Sequence, residues 1–122
     1  MATSPNTILV IVTDLMFQSR LREHVSAMGG EVVLGDTLAA VREALTERTA
    51  LAVLDLHVDG VDWRQAVELA KEAGVPVLAF GRHTEAQLLQ AARDAGCERV
   101  VPRSTLVAEL PQLIEELMRA TT

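Results

Sequence analysis

The sequence is poor in aromatic residues: it has one tryptophan, two phenylalanines and no tyrosine among 122 residues. Proteins that bind single-stranded nucleic acid stack bases on aromatic side chains, and this chain has too few rings for such a platform. The formal net charge of -6 also argues against sequence-independent binding to nucleic acid or to an anionic membrane surface. We therefore expect neither nucleic acid nor a membrane among its partners.

Cysteine and long apolar runs are also scarce. The single cysteine, Cys97, cannot form an internal disulfide, so a reducing, cytoplasmic setting is the simplest context. The apolar run at residues 8–12 is too short to span a bilayer. The sequence has no glycine-rich phosphate loop, no nucleotide fingerprint and no recognisable Ser/His/Asp set, which argues against an ordinary metabolic enzyme.

What the sequence does contain is a regular alternation of short apolar runs and helical patterns. The runs predict buried strands at residues 8–12, 31–34, 51–54, 75–80 and 100–101. The helical patterns predict helices at residues 15–28, 38–48, 63–73, 84–95 and 110–119. The length of the chain suits a single domain.

Capping and proline signals refine the last two helices. Thr84 with Gln87 is a capping-box pattern that predicts the start of the fourth helix. The residues predicted on its buried face are Leu88, Ala91 and Ala95. Because proline fits only the first turn of a helix, Pro111 predicts a loose turn at residues 105–109 before the main part of the last helix.

Alternating strands and helices form a parallel sheet with helices on both faces. For a chain this short we predict the α/β, flavodoxin-like (βα)5 fold, a doubly wound three-layer sandwich with strand order 2-1-3-4-5. The topological switch point then lies between the first and third strands, where ligands collect in such sheets. Asp14 and Asp55 would lie there, close to the loops at residues 81–83 and 102–104.

The stretch that ends the third strand, Asp55-Leu-x-Val-x-Gly-x-Asp62, resembles the receiver domain of two-component response regulators, the CheY-like type. Further matches are the Pro76-Val-Leu strand, the Ala92-x-x-Ala-Gly-Cys segment, and Arg103 as the basic residue seven positions after the glycine of that segment. The resemblance covers essentially residues 1–122 and implies a single, stand-alone receiver domain without an output domain, in two-component phosphorelay signalling.

The resemblance departs from the family where the phosphorylation chemistry takes place. Asp55 occupies the position of the phosphoacceptor aspartate, whose reaction needs Mg²⁺ held by carboxylate oxygens. The acidic pair that supplies these oxygens in the family falls on Val12 and Thr13, and Asp14 comes one position late. Mg²⁺ is therefore expected only if Asp55 is a working phosphoacceptor, and otherwise no cofactor is expected.

Other family positions change as well. Gly81 replaces the serine or threonine that ends the fourth strand, Val100 replaces the aromatic residue of the fifth strand, and Arg103 replaces the lysine. Ser104 and Asp59 stand where the family has prolines. We interpret the chain as a pseudo-receiver, a non-enzymatic interaction module that works without phosphorylation; the alternative is a residual phosphoacceptor modified on Asp55.

Within such a pocket, one hypothesis is a direct Asp55–Arg103 ion pair that fixes the loops without phosphate, since a guanidinium binds a carboxylate in two places. The competing interpretation is that Asp55 only caps the end of its strand.

The sequence also allows two hypotheses of metal binding. Asp55-x-His57-x-x-Gly matches a cobalamin-binding pattern, although it follows the third strand instead of the first, and His57, His83 and Asp55 could converge on a transition metal.

The resemblance implies a protein partner, bound either through the fourth helix, fifth strand and fifth helix or through the first helix. A homodimer formed through the surface of the fourth helix, fifth strand and fifth helix is also consistent with the resemblance. Charge selects neither surface, because both carry residues of each sign. Trp63 is assigned to the core, with an exposed recognition anchor as the alternative.

Overall fold

The computed structural model describes residues 5–121, which form five strands in alternation with five helices. The strands are β1 (Thr7–Ile11), β2 (Glu31–Leu34), β3 (Thr49–Asp55), β4 (Val77–Gly81) and β5 (Arg99–Pro102). The helices are α1 (Leu15–Ala27), α2 (Leu38–Ala44), α3 (Trp63–Glu72), α4 (Ala86–Asp94) and α5 (Arg103–Thr121). The predicted order of elements is confirmed.

The strands form one parallel sheet in the order β2-β1-β3-β4-β5. This confirms the flavodoxin-like fold and places the switch point between β1 and β3. Residues 51–54 of the central strand have no exposed surface, as expected for a strand covered on both faces. Between residues 5 and 121, no helix is both long enough and apolar enough to cross a membrane.

Each face of the sheet has its own apolar core. Side chains alternate between the faces along a strand, so Ile8 and Val10 pack with α1 and α5, while Leu9 and Ile11 pack with α2, α3 and α4. Trp63 is half-buried against the second core, with the Arg64 guanidinium 4.5 Å from its ring centroid. Trp63 therefore contributes to the core and also presents part of its ring to solvent.

The second helix is shorter than predicted, since α2 ends at Ala44 and does not continue to residue 48. The cause is a hydroxyl at the start of the next strand. Thr49 Oγ1 donates to the Ala44 carbonyl oxygen at 2.6 Å and accepts from the Thr46 N–H at 3.1 Å. These bonds satisfy the end of the helix and turn the chain early into β3.

The predicted start and buried face of the fourth helix are wrong. Residues 82–85 form a turn, in which the Glu85 N–H donates to the Arg82 carbonyl oxygen at 3.0 Å, and no side chain caps the helix. Its buried residues are Leu89 and Ala92, whereas the predicted Leu88, Ala91 and Ala95 are half-buried. The Leu-Leu and Ala-Ala doublets fit two faces equally well, and the structure buries the face that was not predicted.

The break in the last helix is confirmed, but the segment before it is helical instead of a loose turn. Glu109 has non-helical angles, φ -118 and ψ 19, and separates a first helical segment beginning at Arg103 from the part that contains Pro111. Proline removes a hydrogen-bond donor and disfavours the helical conformation in the residues just before it, which explains the kink.

Cys97, the single cysteine, is half-buried. Burial raises the pKa of its thiol to about 11, against a smaller opposing effect of the Lys71 charge. The thiol is therefore neutral and unreactive near pH 7. Nothing in this environment gives Cys97 a chemical role.

Candidate functional site

The residues predicted for the site meet at the carboxyl edge of the sheet. Asp55 ends β3, Gly81 ends β4, and Arg103 begins α5 directly after β5. These residues line a cleft of about 210 Å³, and the other residues that line it are His57, Phe80 and Arg82. Thr13 and Asp14 lie in the connection from β1 to α1 at the same edge.

Asp14 performs two structural tasks with its two carboxylate oxygens. Oδ1 caps helix α1, accepting from the backbone N–H groups of Met16 at 3.0 Å and Phe17 at 3.2 Å. Oδ2 lies 2.5 Å from the Arg103 guanidinium. The side chain thereby fastens the start of α1 to the start of α5.

The hypothesis of an Asp55–Arg103 ion pair is wrong in this structure, because Arg103 pairs with Asp14. Both Asp55 and Arg103 face the cleft, but the Asp55 carboxylate accepts from the His57 backbone N–H at 2.8 Å. This is the competing interpretation, in which Asp55 caps the end of its own strand. Sequence reasoning missed the role of Asp14, although an aspartate just before a helical pattern is a standard capping signal.

The Arg103 side chain is held by rings as well as by charge. Its guanidinium lies 5.9 Å from the ring centroids of both Phe17 and Phe80. The two rings are 5.2 Å apart and tilted by 37°. Contact with aromatic faces favours a guanidinium over the compact ammonium of lysine, so the arginine suits this position.

The pair has a consequence for protonation. The hydrogen bond from Arg103 holds the pKa of the Asp14 carboxyl below its usual value, and the N–H group of Phe17 lowers it further. A carboxyl with a lowered pKa stabilises the fold above its unfolded-state pKa of about 3.9. That contribution is lost as the pH falls through the folded-state value.

We expect Arg103→Ala to raise the pKa of Asp14 toward its usual value, because the largest cause of the lowering is removed. An NMR titration of the side-chain carboxyl carbon measures it directly. Arg99→Ala is the matched control, since Arg99 pairs with Glu116 at 2.9 Å, away from this site. An Asp14 midpoint that stays low in Arg103→Ala would show that another group is responsible.

Gly81 is buried at the end of β4, and a side chain there would meet apolar groups. A Cβ atom at this position would lie 3.3 Å from Leu89 Cδ2 and 3.5 Å from Leu56 Cδ1. The space that a serine or threonine side chain would occupy is therefore bounded by two leucines. These apolar surroundings offer no partner for a side-chain hydroxyl at position 81, where the sequence has glycine.

The loops around Asp55 are tied to neighbouring elements by contacts that the sequence did not reveal. Thr13 Oγ1 accepts from the Asp59 N–H at 3.4 Å, which joins the loop after β1 to the loop after β3. His57 Nε2 lies 2.7 Å from Glu85 Oε1, which joins the loop after β3 to the start of α4. Such pairings depend on side-chain conformations, and no sequence spacing predicts them.

The arrangement does not favour the metal hypotheses. The imidazole of His57 lies next to the Glu85 carboxylate. Across residues 5–121, no group of three or more His, Cys, Asp or Glu side chains is placed to hold a metal ion. The cobalamin pattern stays an untested alternative.

The residues present do not fit the Mg²⁺ of the receiver family either. Mg²⁺ prefers carboxylate oxygens in octahedral geometry. Val12 and Thr13 supply none, and both oxygens of Asp14 are engaged, by the helix N–H groups and by Arg103. Asp55 is the one carboxylate among the described residues that line the cleft, and one carboxylate does not make a Mg²⁺ site.

The chain was compared with family models, with curated proteins and with solved structures. No family model matches the sequence. The transcriptional regulatory protein PdtaR of Mycobacterium tuberculosis is 26% identical over 119 residues, which cover 93% of this chain and 57% of PdtaR. This chain thus spans little more than half the length of that relative.

Solved structures of receiver domains superpose on the chain over nearly its whole length. The beryllofluoride-activated receiver domain dimer of NtrC4 has a TM-score of 0.79 at 17% identity, covering 96% of this chain and 99% of that one. The non-phosphorylated receiver domain of HemR from Leptospira biflexa has a TM-score of 0.75 at 22% identity, covering 92% and 93%. The protein described here has the fold of the CheY-like receiver domains of response regulators.

Proposed function

We propose that this chain is a pseudo-receiver, a non-enzymatic signalling module that binds a protein partner without phosphorylation of Asp55. The observation that carries the proposal is the Asp14–Arg103 pair. Arg103 stands at the position of the family lysine. The resemblance implies that the positive charge at this position would bind the phosphoryl group. Here its guanidinium is already bound by a neighbouring carboxylate, 2.5 Å away, and two aromatic rings lie close to it.

Electrostatics supports the same conclusion. Phosphoryl transfer to an aspartate brings negative charge onto a carboxylate, and the charge must be neutralised by cations placed in advance. The Arg103 charge is largely neutralised by Asp14, and the donor set does not suit Mg²⁺. Asp55 would accept a phosphoryl group without Mg²⁺ and beside an arginine that is already paired with Asp14.

This chain also lacks the hydroxyl and the aromatic side chain that, by the family resemblance, move together after phosphorylation. Gly81 has no hydroxyl, and its surroundings are apolar. Val100 stands at the family's aromatic position and is buried in the core shared with α4. The loop after β3 is held by the Thr13–Asp59 and His57–Glu85 contacts without any phosphoryl group. The loop after β3 therefore contacts its neighbours in the absence of phosphorylation.

A titration with Mg²⁺ and beryllofluoride, followed by amide NMR, tests the proposal. We expect the amide signals of His57, Gly81 and Arg103 to stay unchanged, because Arg103 is paired with Asp14 and the carboxylates that would hold Mg²⁺ beside Asp55 are missing. The NtrC4 receiver domain, which has been studied in its beryllofluoride-activated form, is the positive control under the same conditions. Saturable shifts at these residues that vanish in Asp55→Asn would support the residual phosphoacceptor instead.

Of the two partner surfaces that the resemblance implies, the structure favours the first helix. Leu15 and Met16 in the first turn of α1 are 76% and 78% exposed. Exposed apolar side chains of this size favour an interface. In α4, by contrast, the exposed residues are mostly polar or charged.

The choice of surface can be tested with two exposed substitutions. We expect Met16→Lys on α1 to reduce recovery of the native partner from a cell lysate, whereas Gln90→Lys on α4 leaves recovery unchanged. The comparison is made on quantified affinity captures with equal amounts of each variant. Loss of the partner with Gln90→Lys alone would place the interface on α4.

A further inference from the structure

The two edges of the sheet differ in how they are protected. An edge strand exposes unpaired backbone groups, and proteins protect such edges with charged residues and proline. The β5 edge has both, in Arg99 and Pro102. The β2 edge, Glu-Val-Val-Leu, has one charge at its beginning, and after it Val33 and Leu34 are 39% and 38% exposed.

The direction of the β2 backbone groups follows from its pairing with β1. The N–H groups of Glu31 and Gly35 donate to carbonyl oxygens in or beside β1, at 3.0 and 2.9 Å. Since successive residues of a strand point their backbone groups in opposite directions, those of Val32 and Leu34 point away from β1. Among the residues that the structure describes, no strand lies on that side.

We propose that β2 is a self-association surface, where a second copy of this chain pairs with it in antiparallel orientation about a two-fold axis at Val33. In this register Val32 lies opposite Leu34 of the second copy, and both residues donate and accept across the axis. Val33 lies opposite its own counterpart as a non-hydrogen-bonded pair. The result is one continuous sheet through two domains.

Self-complementarity is the reason for choosing a second copy as the occupant. In other two-fold registers, the outward-pointing backbone groups of either Val32 or Leu34 have no strand residue of the second copy opposite them. The axis at Val33 therefore gives both residues a hydrogen-bond partner. Glu31 then lies opposite Gly35, and the two carboxylates are kept apart. The side chains that meet at the axis, Val32, Val33 and Leu34, are uncharged, so the centre of the contact brings no like charges together.

Sedimentation equilibrium of the full chain gives the first test. We expect a concentration-dependent dimer whose Kd rises by at least about tenfold in Val33→Lys, a change equivalent to about 1.4 kcal/mol. Gln90→Lys is the matched control, because Gln90 is exposed on α4 and its substitution introduces the same charge away from β2, so its dimer should be unchanged. A wild-type monomer at all concentrations, or equal weakening by both variants, would overturn the proposal.

A cross-linking experiment tests the register. In a Cys97→Ala background, Val33→Cys should form a disulfide-linked dimer under mild oxidation, because directly opposed residues of a non-hydrogen-bonded pair are within disulfide range. Glu31→Cys should not, since its counterpart would be offset by about 13 Å along the strands. Equal cross-linking of both variants, or of neither, would contradict the axis at Val33. The outcome does not depend on whether Asp55 is phosphorylated.

Discussion

Phe80→Ala is expected to lower the free energy of unfolding by about 3–5 kcal/mol, the range for large aromatic truncations in a core. Phe80 is 1% exposed in β4, and its ring packs against Phe17. Removing it leaves a cavity directly beneath the Arg103 guanidinium. The substitution therefore weakens the core and the support of the functional site together.

Urea unfolding, monitored by the fluorescence of Trp63, the single tryptophan, measures this effect. Phe80→Leu is the control, because it keeps most of the volume and should cost about 1–2 kcal/mol. An Ala variant that loses less than the Leu variant would show that the ring does not fill the space assigned to it.

Gly30→Ala is expected to cost about 3 kcal/mol, because the added methyl group has no room. It would lie 2.7 Å from the Asn6 carbonyl oxygen and 2.9 Å from Val25 Cγ1. The carbonyl oxygen cannot move away freely, since it accepts the Glu31 N–H at 3.0 Å and so helps to align β2 with β1.

The neighbouring glycine is a matched control for this substitution. Gly29 has a positive φ of 84°, but a methyl group there would meet nothing within 4 Å. Gly29→Ala should therefore show only the conformational cost of the left-handed region, about 1 kcal/mol. Urea midpoints of the two variants give the comparison, and a larger loss for Gly29→Ala would contradict the assigned steric clash.

The fold was predictable because its signals are local and repeated. Each buried strand is a short apolar run, and glycines such as Gly74, at φ 72°, end helices where the pattern predicted. Where the pattern was degenerate, the prediction failed. The leucine and alanine doublets of α4 allowed two buried faces, and the sequence pattern does not distinguish between them.

The candidate site was predictable as a location but not in its connections. The sequence predicts that Asp14, Asp55 and Arg103 share one edge of the sheet, and the structure confirms that placement. Which carboxylate the guanidinium chooses depends on the rotamers and on the rings of Phe17 and Phe80 beside it. The strand pattern carries no information on that choice, so the Asp55–Arg103 hypothesis was reasonable and wrong.

Intact mass spectrometry after incubation with acetyl phosphate and Mg²⁺ tests the proposal that Asp55 does not take a phosphoryl group. Asp55→Asn is the matched control, since it preserves size and removes the acceptor. The account predicts the unmodified mass for both chains, with the native chain still folded. A phosphoryl adduct on the native chain that is absent from Asp55→Asn would contradict the account and show that the cleft assembles a working acceptor despite the Asp14–Arg103 pair.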